Sequence, residues 1–407
     1  MKTSVLACGM LLSVGSLRAA EPAHLYELQT TDLKESRTVS TTLSADGRLS
    51  VNGEAFLVKD LISLRVPKVP LPPLPSEGHI VLANGDRIAG EVTAGDGLSL
   101  RFAANFGSAK PVEFALPLSA VSAIWFVPPP QDGRLDAVKF PWVDAAKKSD
   151  TLKLRNGDTF RGTLERFAPA SGPLRFKPAG EATAKPFELT AIAALAFDPS
   201  LSRMKVPAGP HFRIVTRSGS RLTLSTASFD GKIFGGTTVT GGKFAMPQDD
   251  LIALDTVGGK VAALADLKPK EQKVEGYGSV VWPVLANRSV RDAPLRLTTR
   301  FGDETSDRGL GMHSKTTVTY DLAGKYRTFR STVGLDRVSG RKGVVDVRVL
   351  LDGKEQAIPG LKGLSADAAA EVRVDVTGAK LLTLIADFGD GGDIGDDVNW
   401  IGAKLAE

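Results

Sequence analysis

The residues best suited to chemistry lie near the C-terminus, in Asp387-Phe-Gly-Asp-Gly-Gly-Asp-Ile-Gly-Asp-Asp397. Asp390, Asp393, Asp396 and Asp397 fall close together, with Gly391, Gly392 and Gly395 between them to let the loop bend. Calcium takes roughly six to eight oxygens from carboxylates, carbonyls and water. The four aspartates are therefore candidate ligands for a structural calcium ion, although their spacing does not match an EF-hand. The competing reading is a solvated turn whose aspartates accept local backbone hydrogen bonds.

Catalytic patterns are missing. The sequence contains no Gly-x-Ser-x-Gly elbow, no His-Glu-x-x-His and no phosphate-binding Gly-x-x-x-x-Gly-Lys, and its four histidines (24, 79, 211 and 313) are scattered. His313 precedes Ser314, but neighbours on a strand point to opposite faces and do not readily pair. Glycoside hydrolysis needs two carboxylates flanking a pocket, and nothing in the sequence singles out such a pair. The chain reads as non-catalytic. Sugar binding instead asks for an aromatic face beside planar polar groups. Tyr277, Trp282, Tyr320, Tyr326, Phe388 and Trp400 are available. Tyr320 and Trp400 sit in or beside strand patterns and read better as core, whereas Phe388 and Tyr277 fall in loops and read as sugar platforms.

The elements that must hold these residues alternate with period two. Val318, Tyr320 and Leu322 oppose Thr317, Thr319 and Asp321; Val345, Val347, Val349 and Leu351 alternate with Asp346 and Arg348; Val372, Val374 and Val376 alternate with Glu371, Arg373 and Asp375. This is the signature of half-buried strands. Turn signals such as Asp352-Gly353 and Thr377-Gly378 separate them, and no helical stripe intervenes. An antiparallel β-sandwich is expected. Just before the first of these strands, Gly309 and Gly311 allow positive φ or a close backbone approach.

Gly309-Leu-Gly-Met-His-Ser314, Thr319-Tyr-Asp-Leu-Ala-Gly-Lys-Tyr326, Val333-Gly-Leu-Asp336, Leu351-Asp-Gly-Lys354, Val374-Asp-Val-Thr-Gly-Ala-Lys380 and the acidic loop leading to Trp400 together resemble the NPCBM domain, the carbohydrate-binding module first noticed on family 98 glycoside hydrolases. Ala265-Asp-Leu-Lys-Pro269 resembles its opening, so the resemblance covers about residues 263–407. It implies a galactose-binding-like jelly roll, often with structural calcium, whose loops at one end bind a glycan or glycoconjugate. On this resemblance His313, Asp336, Asn399 and Trp400 join Phe388 as candidate carbohydrate contacts. Two departures bear on those contacts: Arg337 follows Asp336 where the family has a second acidic residue, and Asp396-Asp397-Val398-Asn399-Trp400 replaces Asp-His-Ala-Asp-Trp.

Upstream, the chain repeats itself. Ile80-Val-Leu-Ala-Asn-Gly-Asp-Arg-Ile-Ala-Gly90 returns as Leu152-Lys-Leu-Arg-Asn-Gly-Asp-Thr-Phe-Arg-Gly162 and, more faintly, as Arg213-Ile-Val-Thr-Arg-Ser-Gly-Ser-Arg-Leu222. Asn-Gly-Asp between apolar alternations marks a tight hairpin whose two central residues are expected at positive φ. Three β repeats are read at 78–127, 150–198 and 211–257, with a divergent fourth at 21–66, each large enough for a small Sm-like or SH3-like barrel. Pro-rich stretches at 67–77 and Pro128-Pro-Pro130 are expected to act as semi-rigid polyproline spacers, giving a string of modules. The fold class is thus all-β: tandem small barrel-like repeats followed by a C-terminal jelly roll.

Residues 1–20 carry Lys2, an apolar Val5–Val14 run too short to span a bilayer, and small Ala19 and Ala20, which reads as a secretory signal. Export to the periplasm or the exterior is expected. Cys8, inside that segment, is the only cysteine, so the mature chain can form no internal disulfide. Without residues 1–20 the chain holds 49 basic and 46 acidic residues, a balance of +3 that argues against nucleic acid. No other apolar run would span a membrane. Two functions fit: a secreted non-catalytic carbohydrate-binding protein whose repeats space or anchor the terminal module, or a structural protein that binds envelope partners through exposed strand edges.

Overall fold

The computed structural model describes residues 25–31, 37–44, 48–51, 54–57, 60–108, 110–127, 143, 148–167, 172–201, 204, 207, 209–276, 280–339, 341–367 and 369–407. The signal segment, Tyr277 and the Pro128–Pro130 stretch lie outside them. Among the described residues every regular element is a β-strand or a short 3-10 turn, so the fold is all-β.

Residues 79–125, 150–196 and 211–257 each form five strands with one order. In the last of these, His211–Thr216 pairs with Arg221–Phe229, then Ile233–Thr238 and Lys243–Pro247 follow. A 3-10 turn, Gln248–Asp250, then delivers Leu251–Val257 back to His211–Thr216. The order five-one-two-three-four with a 3-10 turn before the fifth strand makes a small barrel-like unit. At the start of the chain, Leu61–Arg65 likewise returns to Leu25–Thr30.

The first hairpins share one geometry. The Leu82 N–H donates to the Asp86 carbonyl at 2.8 Å and Leu154 does the same to Asp158 at 2.8 Å. Gly85 and Gly157 have φ of 86° and 96°, but neither Asn84 nor Asn156 has positive φ, contrary to the expected turn. Each asparagine instead accepts the N–H two residues on, from Asp86 at 3.1 Å and Asp158 at 3.0 Å. The longer loop, in which only the glycine is left-handed, accommodates the strand twist without straining asparagine.

The units are not strung out as separate beads. Val121–Trp125 pairs with Ile192–Ala196, and Leu61–Arg65 with Leu251–Val257, so the fifth strands of two pairs of units join edge to edge. This satisfies backbone rows that an isolated barrel would leave open. One apolar cluster then runs through all four, including Tyr26, Phe102, Phe176 and Phe234. The 67–77 stretch is packed as well: Leu71 is buried against Val215, Ile252 and Ala253. Prolines cannot donate, and here they are used as acceptors, Pro72 taking the Arg221 guanidinium at 2.6 Å.

The C-terminal domain is a two-layer sandwich. One sheet centres on Asp397–Ala406, flanked by Gly309–His313 and Thr328–Leu335, with Ala370–Asp375 beyond. The other centres on Leu381–Phe388, flanked by Thr316–Asp321 and Val345–Leu351. Leu310, Met312, Phe329, Val333, Val398 and Trp400 face Val318, Tyr320, Val347, Leu382 and Leu384 across the core. The outer face of the first sheet is also covered. The hairpin of Leu295–Thr299 and Gly302–Ser306 lays Leu295 and Leu297 on Ile401.

The sandwich is fixed to the barrel-like units. Arg213 pairs with Asp86 at 3.1 Å and also with Asp307, which lies 3.8 Å from the fully buried Arg221. Lys404 pairs with Asp255, and Arg65 with Glu304 at 3.0 Å.

Candidate functional site

Four of the sequence candidates, His313, Asp336, Asp397 and Asn399, meet at one end of the sandwich, beneath the segment that precedes the covering hairpin. Strand pairing places His313 opposite Asp397 and Gly311 opposite Asn399, while Gly334 faces Asn399 from the other side. Glycine is needed here for proximity: a Cβ on Gly311 would meet the Arg288 carbonyl at 2.4 Å. The bare strand lets residues 288–296 lie against the sheet and shut the polar groups beneath them.

Asp336 is the hub. One carboxylate oxygen accepts the N–H groups of Val338 at 2.9 Å and Ser339 at 3.0 Å, and the other accepts the Asn399 amide at 3.0 Å. Arg296 stands 3.7 Å away, and its carbonyl takes a second bond from the Asn399 amide at 3.3 Å. Asp336 and Asn399 have no exposed surface. They fix the 336–339 turn relative to the sheet.

Asp397 accepts Arg291 Nε at 2.9 Å on one oxygen, and its other oxygen lies 3.7 Å from His313 Nε2. His313 Nδ1 is 2.5 Å from the Ser314 carbonyl. Its ring stacks on Trp282 with centroids 5.5 Å apart, and the Arg291 guanidinium sits 4.0 Å from the Trp282 centroid. Trp282 is half-buried, with exposed Val280 and Val281 beside it. It is the aromatic at the edge of this polar cluster, and Arg291, Arg296 and Trp282 complete the cluster without having been selected from sequence. Trp282 had appeared only as one of six available aromatics. The two arginines carried no signal, because their roles depend on which strand their segment crosses.

Trp400 does not belong to the surface of the site. It is fully buried in the core and packs on Phe329 at 6.3 Å, because alternation along Asp397–Ala406 sends Val398 and Trp400 inward and Asp397 and Asn399 outward. A sugar cannot stack on it. Phe388 is half-buried at the end of Leu381–Phe388, opposite Val345, in the other sheet.

The acidic loop does not gather its four carboxylates. Asp390 is exposed, Asp397 turns to Arg291, and Asp396 accepts the Ser314 hydroxyl at 2.6 Å. Among the described residues no cluster of three or more His, Cys, Asp or Glu side chains could hold an ion. The residues therefore do not fit the expected calcium set as a group. Burial pushes the Asp396 carboxyl up to about 6, against the Ser314 hydroxyl and His313, which pull it down. Its other oxygen is buried without a partner.

Between about pH 4 and 6 the folded state holds this proton and the unfolded chain does not, so stability falls as pH rises through that window and stays lower above it. Asp396→Asn keeps the shape and removes the charge. It is expected to exceed the parent by about 1–3 kcal/mol in urea unfolding at pH 8 and to show no gain at pH 4. An equal offset at both pH values would mean that ionisation is not the cause. Thermal melts of both proteins with millimolar calcium test the ion directly: a rise of several degrees in the parent but not in the variant would assign a cation to Asp396.

The fold and this cluster define a two-layer β-sandwich with a buried polar cluster at one end. Residues 260–406 match the family model of the NPCBM/NEW2 domain. No curated protein matches the chain. Among solved structures, CBM51 from Clostridium perfringens GH95 in complex with methyl-galactose is 24% identical, covering 36% of this chain and 99% of that one, with a TM-score of 0.33. CBM51-2 in complex with GlcNAc and INT domains from Clostridium perfringens ZmpB is 24% identical over 48% of this chain and 43% of that one, less than half its length, with a TM-score of 0.33. The tandem CBM51 modules of Sp3GH98, the family 98 glycoside hydrolase from Streptococcus pneumoniae SP3-BS71, are 12% identical over 78% and 88%, with a TM-score of 0.33.

Proposed function

We propose that this is a non-catalytic, exported carbohydrate-binding protein. The terminal sandwich binds a glycan at the end built by Trp282, His313, Asp336, Asp397 and Asn399, and the barrel-like units act as repeated modules that carry it. The observation behind the reading is the NPCBM/NEW2 match over 260–406, with a half-buried tryptophan set beside a buried polar cluster at one end of that domain. The Trp282 ring offers an apolar face to sugar C–H groups, and Arg291, held by Asp397, offers a cationic donor to hydroxyls. The buried hub beneath does not contact the ligand; it fixes the loops that do. No helix among the described residues is long and apolar enough to cross a membrane, and the 1–20 segment supplies the export reading.

The full chain on a glycan array tests this. Binding to a defined group of glycans is expected, with Trp282→Ala weakening it at least tenfold while urea unfolding shifts by no more than about 1 kcal/mol. Silence across the array would favour a structural protein that meets envelope partners through its strand edges.

A further inference from the structure

A cleft of about 610 Å³ that Trp282 does not line lies between the first barrel-like unit and the outer face of the sandwich. Its floor is unusual in charge. Strand pairing sets Arg330 directly opposite Arg373 on one side and directly opposite Lys404 on the other, so three cations stand abreast on adjacent strands. Like charges directly opposite each other destabilise a sheet.

The neighbouring charges do not resolve this. Lys404 is taken by Asp255, Arg65 by Glu304 and Arg300 by Glu371. Arg330 and Arg373 make no ion pair among the described residues, Glu371 acts on Arg330 without pairing with it, and Glu27 is the remaining acid in the lining. Two donors of Arg330, Nε and Nη2, are buried without a hydrogen-bond partner. A buried donor left unmade is costly, and a guanidinium more so than a neutral group. Burial and the adjacent Arg373 push the Arg330 guanidinium down to about 10, against Glu371. Around this floor the walls carry Gln29, Ser63, Thr299 and Thr332, side chains that exchange hydrogen bonds with hydroxyls.

We propose that the cleft is a second binding site, for an acidic saccharide whose carboxylate or sulfate is held by Arg330 and Arg373. An anion there satisfies the open guanidinium donors in the planar geometry that arginine favours and relieves the repulsion along the ladder. A sugar ring meets the amide and hydroxyl walls. An acidic peptide would meet the apolar part of the lining, Val66, Val69 and Phe301, instead of these polar groups.

The test uses the full chain with four probes at low salt, followed by calorimetry: a galacturonate trisaccharide, its neutral methyl ester, inorganic sulfate and hexaglutamate. The uronate is expected to bind at least tenfold more tightly than the other three. Arg330→Gln and Arg373→Gln should each weaken uronate binding at least tenfold, while Lys325→Gln leaves it unchanged. Arg330→Gln should also melt no lower than the parent, because it removes an unpartnered charge. Equal binding of acid and ester would overturn the site, as would unchanged uronate binding in Arg330→Gln. Tighter binding of hexaglutamate would make it a peptide site, and sulfate binding as well as the uronate would reduce it to a small-anion site; either result overturns the saccharide assignment.

Discussion

Asp307→Ala is expected to lower the stability of the protein by about 3–5 kcal/mol, the range seen when one partner of a buried ion pair is removed. Asp307 stands where three parts of the chain meet. It takes Arg213, which also holds Asp86 of the first complete unit, and it lies 3.8 Å from Arg221, whose side chain has no exposed surface. The remaining Arg221 contacts are carbonyls of Gly219 at 2.5 Å, Pro72 at 2.6 Å and Thr305 at 3.1 Å, none of which neutralises its charge. Burial raises the Asp307 pKa, but Arg213, Arg221 and Arg308 outweigh it and hold the carboxyl below its ordinary value. A depressed acid stabilises above its unfolded pKa and loses that contribution as pH falls through the folded value, so parent and variant should converge in acid. Urea unfolding at pH 7 and pH 3 measures both effects. The sandwich should also melt separately from the barrel-like units in the variant. A loss below about 1 kcal/mol at pH 7 would show that the network contributes no more than a surface pair.

The second large effect concerns Asp336. Asp336→Ala strands two backbone N–H groups, the Ser339 hydroxyl, the Asn399 amide and the Arg296 guanidinium in a closed space. Each abandoned buried donor costs about 1–3 kcal/mol, with partial recovery as water enters. A net loss of about 3 kcal/mol or more is expected, together with loss of glycan binding as the 336–339 turn comes free. Asp336→Asn keeps one acceptor and should restore part of the stability. If alanine and asparagine were equally tolerated, the hub would not be holding the loop.

Much of this was legible in the chain. Period-two alternation placed the sandwich strands because a sheet with one buried face permits no other register: Val318, Tyr320, Val347 and Leu384 are all core. The recurrence of Asn-Gly-Asp located equivalent hairpins, since the glycine that closes each turn must be left-handed. Gly311 was readable as a point of close approach, although not what approaches it. The family resemblance singled out His313, Asp336 and Asn399, which do share one end of the sandwich, but it offered them as sugar contacts, whereas Asp336 and Asn399 are fully buried.

Tertiary structure decided the rest. Whether the barrel-like units float or fuse depends on which strand edges remain open once each has closed, and no local pattern in Val121–Trp125 or Leu251–Val257 records its partner in another unit. The four aspartates are neighbours along the chain, but charge density in sequence is not convergence in space: Asp396 and Asp397 sit next to each other and turn to Ser314 and Arg291. The row Arg373, Arg330, Lys404 comes from three separate strands. Only pairing register makes them a row, because the chemistry that strand partners share is fixed by contacts between residues far apart in sequence.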